Sequence, residues 1–327
     1  MDIIKHGEKL GFSTAWSAEA YGSDAISTSA WILANTTTMR AGTAIMQMPA
    51  RAPTMAAMTA ISLNQLSGGR FTVGIGPSGP QVVEGWYGAP YSKPLTRQRE
   101  YIEIMRKVFA REERLEYDGF HYQMPYKGEG STGLGKPLKS ILHNVHDIPI
   151  YTATLKSKAL ELSAQIADGF FPVWMNPERY DLFKPAIDKG LAKAGKQLSD
   201  FDVAPFVTMI MGDDVAQCRM PVKAMLALYI GGMGARGKNF YTTYATELGY
   251  GEAAVKIQDL YLDGKKQEAM ALVPDQLVDE VALVGPADRI KDRLGAWIEA
   301  GKKHEVGQMV VANGQPEALE LLANTVL

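Results

Sequence analysis

A single cysteine, Cys218, is present in the 327 residues, so no internal disulfide can form. That scarcity points to a reducing compartment, the cytoplasm. Long apolar runs are missing as well: no stretch is long enough to cross a bilayer. The opening MDIIKHGEKLGF is polar and unlike a secretory signal. Charge of one sign is also lacking. Lys and Arg number 34 and Asp and Glu 36, a net charge of −2 spread along the chain, whereas a nucleic-acid partner calls for a basic stripe. The five histidines, His6, His121, His143, His146 and His304, show no metal-ligand spacing. No Walker loop, Gly-x-Ser-x-Gly elbow or Cys-x-x-Cys occurs. With nucleophile and metal sets missing, cofactor-borne chemistry is favoured, because hydride transfer needs positioning more than reactive side chains.

What is present is a globular composition, 46% hydrophobic and 21% charged, in which two periods alternate. Apolar β-rich runs read as strands at residues 14–21, 40–48, 70–76, 148–155, 169–174, 201–211 and 308–312. Helical spacing fills the intervals at residues 24–34 (capped by Ser23), 54–66, 96–110, 158–167, 178–194 and 290–300. Gly68 and Gly69 suit a left-handed helix end. Strand–helix alternation with near-continuous apolar strands predicts a parallel sheet under helices. Seven such strands fit an α/β barrel of eight that is short of one, and the chain reads as one domain over 1–327. Residues 112–147, with a hairpin in LEYDGFHYQM, and 212–286, mostly helical, read as insertions.

In such a barrel the chemistry lies at the carboxyl ends of the strands. Glu19 ends the first strand, either as a partner for a loop amide or as a ligand contact. Tyr21, two residues on, should share its side. The run Gly74-Ile75-Gly76-Pro77-Ser78-Gly79-Pro80-Gln81 lets backbone pass close to a planar or anionic ligand, or is an ordinary tight turn. Trp86 and Tyr87 either wall an aromatic cofactor or belong to the core of a short helix. Residues 43–48 offer a flat apolar wall in which Gln47 is the polar exception. Thr154, Leu155, Lys156 and Ser157 precede a helix and suit a phosphate, or else Ser157 is a simple N-cap.

These residues resemble the luciferase-like monooxygenase superfamily. Leu66-Ser67-Gly68-Gly69-Arg70-Phe71 followed by Val73-Gly74-Ile75-Gly76 is similar to its helix-to-strand hallmark. Ser78-Gly79-Pro80-Gln81-Val82-Val83-Glu84-Gly85-Trp86, with Gly88 and Pro94-Leu95-Thr96-Arg97, resembles the branch of F420-dependent oxidoreductases. Residues 16–25, 49–53 and 166–169 match too, so the likeness covers essentially the whole chain.

The resemblance implies a TIM (β/α)8 barrel of the bacterial luciferase-like type. Coenzyme F420, or alternatively FMN, would sit at the strand ends under a small-molecule substrate. It implies a cis peptide at Ala44–Ile45 behind the cofactor ring, and a cofactor site of Ala44, Ile45, Gln47, Ser78, Gly79, Gln81, Thr154, Leu155 and Lys156. Glu19 and Tyr21 would be the catalytic pair and the protein a homodimer. Ala20 stands where sugar-phosphate-oxidising relatives place a catalytic His, which argues against that activity. Two departures stand out. The strand that normally precedes the opening helix is missing, and Leu155-Lys156-Ser157 replaces a Gly-Pro-Lys phosphate turn. They motivate a third reading, a non-catalytic barrel acting as a binding protein.

Overall fold

The computed structural model describes every residue except Leu155 and Asn313, and the chain divides into two compact units. The first is Met1–Phe171 with Ala186–Asp202; the second is Pro172–Pro185 with Val203–Leu327.

The first unit opens with the helix Asp2–Leu10. Its strands are β1 (Thr14–Ser17), β2 (Arg40–Thr43), β3 (Met46–Gln47) and β4 (Phe71–Gly76). The short antiparallel pair β5 (Tyr117–Asp118) and β6 (Gln123–Met124) follows, then β7 (Ile150–Ala153) and β8 (Gly169–Phe171); β9 (Asp202–Val203) begins on the unit's last residue, Asp202. The sheet order is β1-β2-β4-β7-β8-β9, with β3 pairing β4. The pairings from β1 through β8 are parallel. All six residues of β4 are buried, which its unbroken apolar run predicts. Phe71, Ile75, Ile150, Ile61 and Met105 pack in one core, each 1% exposed or less. Burying one such side chain stabilises by about 1.5–3 kcal/mol.

Several boundaries differ from the sequence reading for identifiable reasons. The first strand stops at Ser17 rather than Tyr21. The cap of the helix Ala25–Asn35 is Asp24, not Ser23, its carboxylate accepting the Ser27 N–H at 2.6 Å. Gly68 and Gly69 take φ of 69° and 90° after the helix Pro53–Leu66, as expected. The single strand expected over 40–48 is two strands. Gly42 faces Thr72 while Met46 faces Ile75, so the outer strand carries one extra residue, a β-bulge. At the bulge Thr43 stands in for the ladder: its Oγ1 donates to Gly74 O at 2.7 Å and accepts Gly74 N–H at 2.9 Å. A Cβ on Gly74 would lie 1.9 Å from Thr43 O, so only glycine fits. The peptide Ala44–Ile45 is cis.

The second unit holds a three-stranded parallel sheet in the order β11-β10-β12: β10 (Phe206–Met211), β11 (Ala282–Gly285) and β12 (Val310–Ala312). β11 was missed in the sequence, where 212–286 read as an insertion. The strand expected over 201–211 is interrupted between β9 and β10 at Ala204 and Pro205, proline having no ladder donor. The helix expected over 178–194 is a 3-10 turn, Pro177–Leu182, then Lys184–Ala194. Helices Val215–Gly232, Gly251–Leu262 and Asp275–Val281 surround a core that includes Trp174, Leu226, Ile230 and Ile257.

Candidate active site

Parallel strands present all their carboxyl ends along one edge. In the first unit that edge carries Ser17, Gln47, Gly76 and the residues after β7. From β1 to β7 it crosses three strand spacings, roughly 14 Å.

Glu19 lies just beyond β1, its side chain 6% exposed. One carboxylate oxygen accepts the Gln47 N–H at 2.8 Å and Arg51 Nη1 at 2.9 Å; the other accepts Arg51 Nη2 at 3.0 Å. The Glu19 carbonyl accepts Gln47 Nε2 at 3.0 Å. Glu19 is therefore a partner for the backbone amide at the end of β3 rather than for a loop amide, and it is clamped bidentately by arginine. Arg51 also pairs with Asp24, and its carbonyl accepts the hydroxyl of the fully buried Tyr101 at 3.2 Å. Burial pushes the Asp24 carboxyl up, but hydrogen bonding by Ser27 and the charge of Arg51 outweigh it and the net direction is down. Burial likewise works against the charge on Arg51, and Glu19 and Asp24 overcome it.

Tyr21 does not share Glu19's surroundings. The strand has ended, alternation no longer applies, and Tyr21 is 71% exposed. Its ring faces Trp86, 6.5 Å away between centroids. Trp86 is 66% exposed, so it is not core. Tyr87 does feel the Glu19 charge: its phenol is raised by burial and then by Glu19.

Ala44 and Ile45 are half-buried at the bulge. The Ile45 side chain covers Gly76, where a Cβ would come within 2.6 Å of it. Ser78 is left-handed at φ 60°, Gly79 caps the short helix Pro80–Gly85, and Gln81 is exposed. After β7, Thr154 is 6% exposed and Lys156 is exposed at the N-cap of the helix Ser157–Ile166. Ser157 is inside that helix and not its cap, and no side chain caps it. Leu155 lies outside the described residues.

Three polar atoms on this edge are buried without a hydrogen-bond partner among the described residues: Ser17 Oγ, Gln47 Oε1 and Thr154 Oγ1. Such atoms each cost stability unless something meets them, so the edge suits a ligand with complementary polar groups. Sequence reasoning singled out Gln47 and Thr154 but missed Ser17, Asp24 and Arg51. Arg51 did carry a signal, as the only charged residue between Arg40 and Arg70. A surface hollow lined by Arg40, Gly69 and His146 lies at the start of β2, the end of a barrel strand that serves stability.

Fold and site define an α/β-barrel oxidoreductase. The chain belongs to the luciferase-like monooxygenase family, whose model matches residues 1–304. It is 41% identical over 325 residues, 98% of this chain and 92% of the relative, to a Mycobacterium tuberculosis protein named "Putative coenzyme F420-dependent oxidoreductase". It is 26% identical to the 5,10-methylenetetrahydromethanopterin reductase of Archaeoglobus fulgidus, over 99% of this chain and 93% of that one. The solved coenzyme F420-dependent tetrahydromethanopterin reductase of Methanopyrus kandleri superposes with a TM-score of 0.76 at 23% identity, over 99% of this chain and 93% of that one. The fold expected from the sequence is thereby established.

Proposed function

We propose that the enzyme transfers a hydride between reduced coenzyme F420 and a small organic substrate. The observation that carries this reading is the set of buried, partnerless polar atoms, Ser17 Oγ, Gln47 Oε1 and Thr154 Oγ1, along one sheet edge. The name of the 41%-identical relative favours the deazaflavin. The residues fit the group. Ala44 and Ile45 back its ring, Ser78, Gly79 and Gln81 border it, and Thr154 and Lys156 meet its phosphate at a helix start free of side-chain caps. Bound there, the deazaflavin supplies the carbon that gives or takes the hydride. Glu19, engaged by Gln47 and Arg51, orients rather than exchanges a proton. Tyr21, beside Trp86 on the exposed rim, is a polar side chain placed to touch substrate.

The family's description favours a second reading, a monooxygenase, for which FMN is the alternative cofactor because it shares the ring shape and ribityl phosphate. Titration of the protein with coenzyme F420, followed by its fluorescence with FMN in parallel, separates the two. Saturable binding of the deazaflavin alone is expected. Preference for FMN replaces the first reading with the second, and binding of neither overturns both.

The single cysteine, buried at Cys218, accords with a cytoplasmic protein. The helices Ala25–Asn35 and Pro53–Leu66 contain no charged residue yet expose Trp31 (62%), Met55, Met58 and Leu66 (86%). Uncharged helices that expose large apolar side chains suit a second copy of the chain. A homodimer is expected in sedimentation at micromolar concentration, with Met58→Lys shifting it to monomer; a monomeric parent refutes this.

A further inference from the structure

The amide of Gln47 is fixed in orientation by its neighbour. Its nitrogen donates to the Glu19 carbonyl at 3.0 Å, an oxygen that can only accept. The reverse flip would set two acceptors against each other. The Gln47 backbone N–H is held as well, by the Glu19 carboxylate, and Arg51 holds that carboxylate in turn. What remains is Oε1, an acceptor on a side chain 3% exposed, with no partner among the described residues. Ser17 Oγ and Thr154 Oγ1, the other two such atoms on the edge, are hydroxyls that can donate or accept and so discriminate nothing. Gln47 Oε1 accepts only.

We infer that Gln47 is a specificity-determining residue that reads an imide N–H on the ligand's ring, with Glu19 and Arg51 as the positioning residues that hold its amide. The inference rests on the cofactor reading above. In an oxidised flavin or deazaflavin the ring's one N–H is the imide between two carbonyls, so a buried acceptor with a fixed lone pair has one ring group to meet. The site therefore selects planar heterocycles with a free imide and rejects those in which it is blocked, because a blocked imide leaves the buried oxygen unmet.

The test is a fluorescence titration of the full chain with two ligands: coenzyme F420 and the same molecule methylated at the imide nitrogen. The parent protein is expected to bind the methylated ligand about 10- to 100-fold more weakly. Gln47→Leu is expected to weaken the free-imide ligand by a similar factor and to lose most of the discrimination. Equal binding of both ligands by the parent overturns the inference and leaves the cofactor reading standing. Full discrimination retained in Gln47→Leu also overturns it, since the methyl group is then excluded by something else. Binding of neither ligand by the parent overturns the cofactor reading and the inference with it. The parent's two affinities need no variant, so a poorly folding Gln47→Leu still leaves a decisive comparison.

Discussion

Replacing Arg51 with methionine is the sharpest test of the clamp. The guanidinium makes two contacts to Glu19, at 2.9 and 3.0 Å, and another to Asp24. Without it the Glu19 carboxylate, 6% exposed, keeps the Gln47 N–H but loses its countercharge. Breaking a buried ion pair costs about 3–5 kcal/mol because a charge is stranded. Arg51 itself is 20% exposed, so entering water relieves part of this, and about 2–3 kcal/mol is expected. For a unit of this size that lowers the melting temperature by roughly 5–10 °C. Glu19→Gln in the same chain removes the stranded charge, so the double variant is expected to recover about 1.5–2 kcal/mol relative to additivity. Thermal unfolding followed by circular dichroism across the four proteins measures this. Additive effects, or an Arg51→Met variant melting with the parent, would refute the clamp.

Acid sensitivity is expected from Glu8, whose carboxylate accepts the backbone N–H groups of Met39, Thr38 and Thr37 at 3.0, 2.7 and 2.7 Å. These bonds, that of Met39 first, lower its pKa from an ordinary 4.5 to about 2. A lowered carboxylate pKa stabilises above the unfolded value and is lost as pH falls, so Glu8→Gln should be less stable than the parent at neutral pH, with the gap closing between pH 4.5 and about 2; a constant gap in acid titrations contradicts this. Thr154→Val and Ser17→Ala should each weaken cofactor binding several-fold while leaving the melting temperature of the free protein unchanged or higher, because each removes an unmet buried hydroxyl; a lowered melting temperature would mark the hydroxyls as structural. Glu100, 5% exposed, accepts the N–H groups of Phe120, His121 and Tyr122, so Glu100→Ala should open the β5–β6 turn to proteolysis, and protection equal to the parent's would argue against that pin.

Strand–helix alternation and the apolar run of Phe71–Gly76 made the architecture legible, because burial on both faces of a parallel sheet leaves a mark on composition. β11 escaped because Ala282-Leu283-Val284-Gly285 sits between two helices and is too short for periodicity to separate it from their apolar faces. The site was half legible. Gln47 stood out as the one side-chain amide in an apolar wall, and Thr154 by its place before a helix. Ser17 and Asp24 were hidden because a lone serine in a strand and an aspartate beside a rival cap, Ser23, look ordinary. Tyr21 misled because the alternation that tied it to Glu19 needs a strand that continues, and β1 stops at Ser17.

The bulge between β2 and β3 explains why the polar exception in that wall becomes available at the edge. Strand side chains alternate faces, so a one-residue change of register exchanges the two sets. Gly42 is paired 30 positions back from Thr72, while Gln47 is paired 29 back from Gly76. Continued without the extra residue, the register would set Met46 opposite Gly76 and reverse which of Met46 and Gln47 matches each face of β4. The extra residue also halts the ladder, and Thr43 and the Cβ-less Gly74 close the gap with two side-chain hydrogen bonds. The uncharged sequence of residues 41–50 thus delivers one oriented amide to the edge, and Arg51, the first charge after it, holds the carboxylate that keeps the amide in place. The local rule that fails here, an unbroken strand from a continuous apolar run, fails where the candidate active site is built.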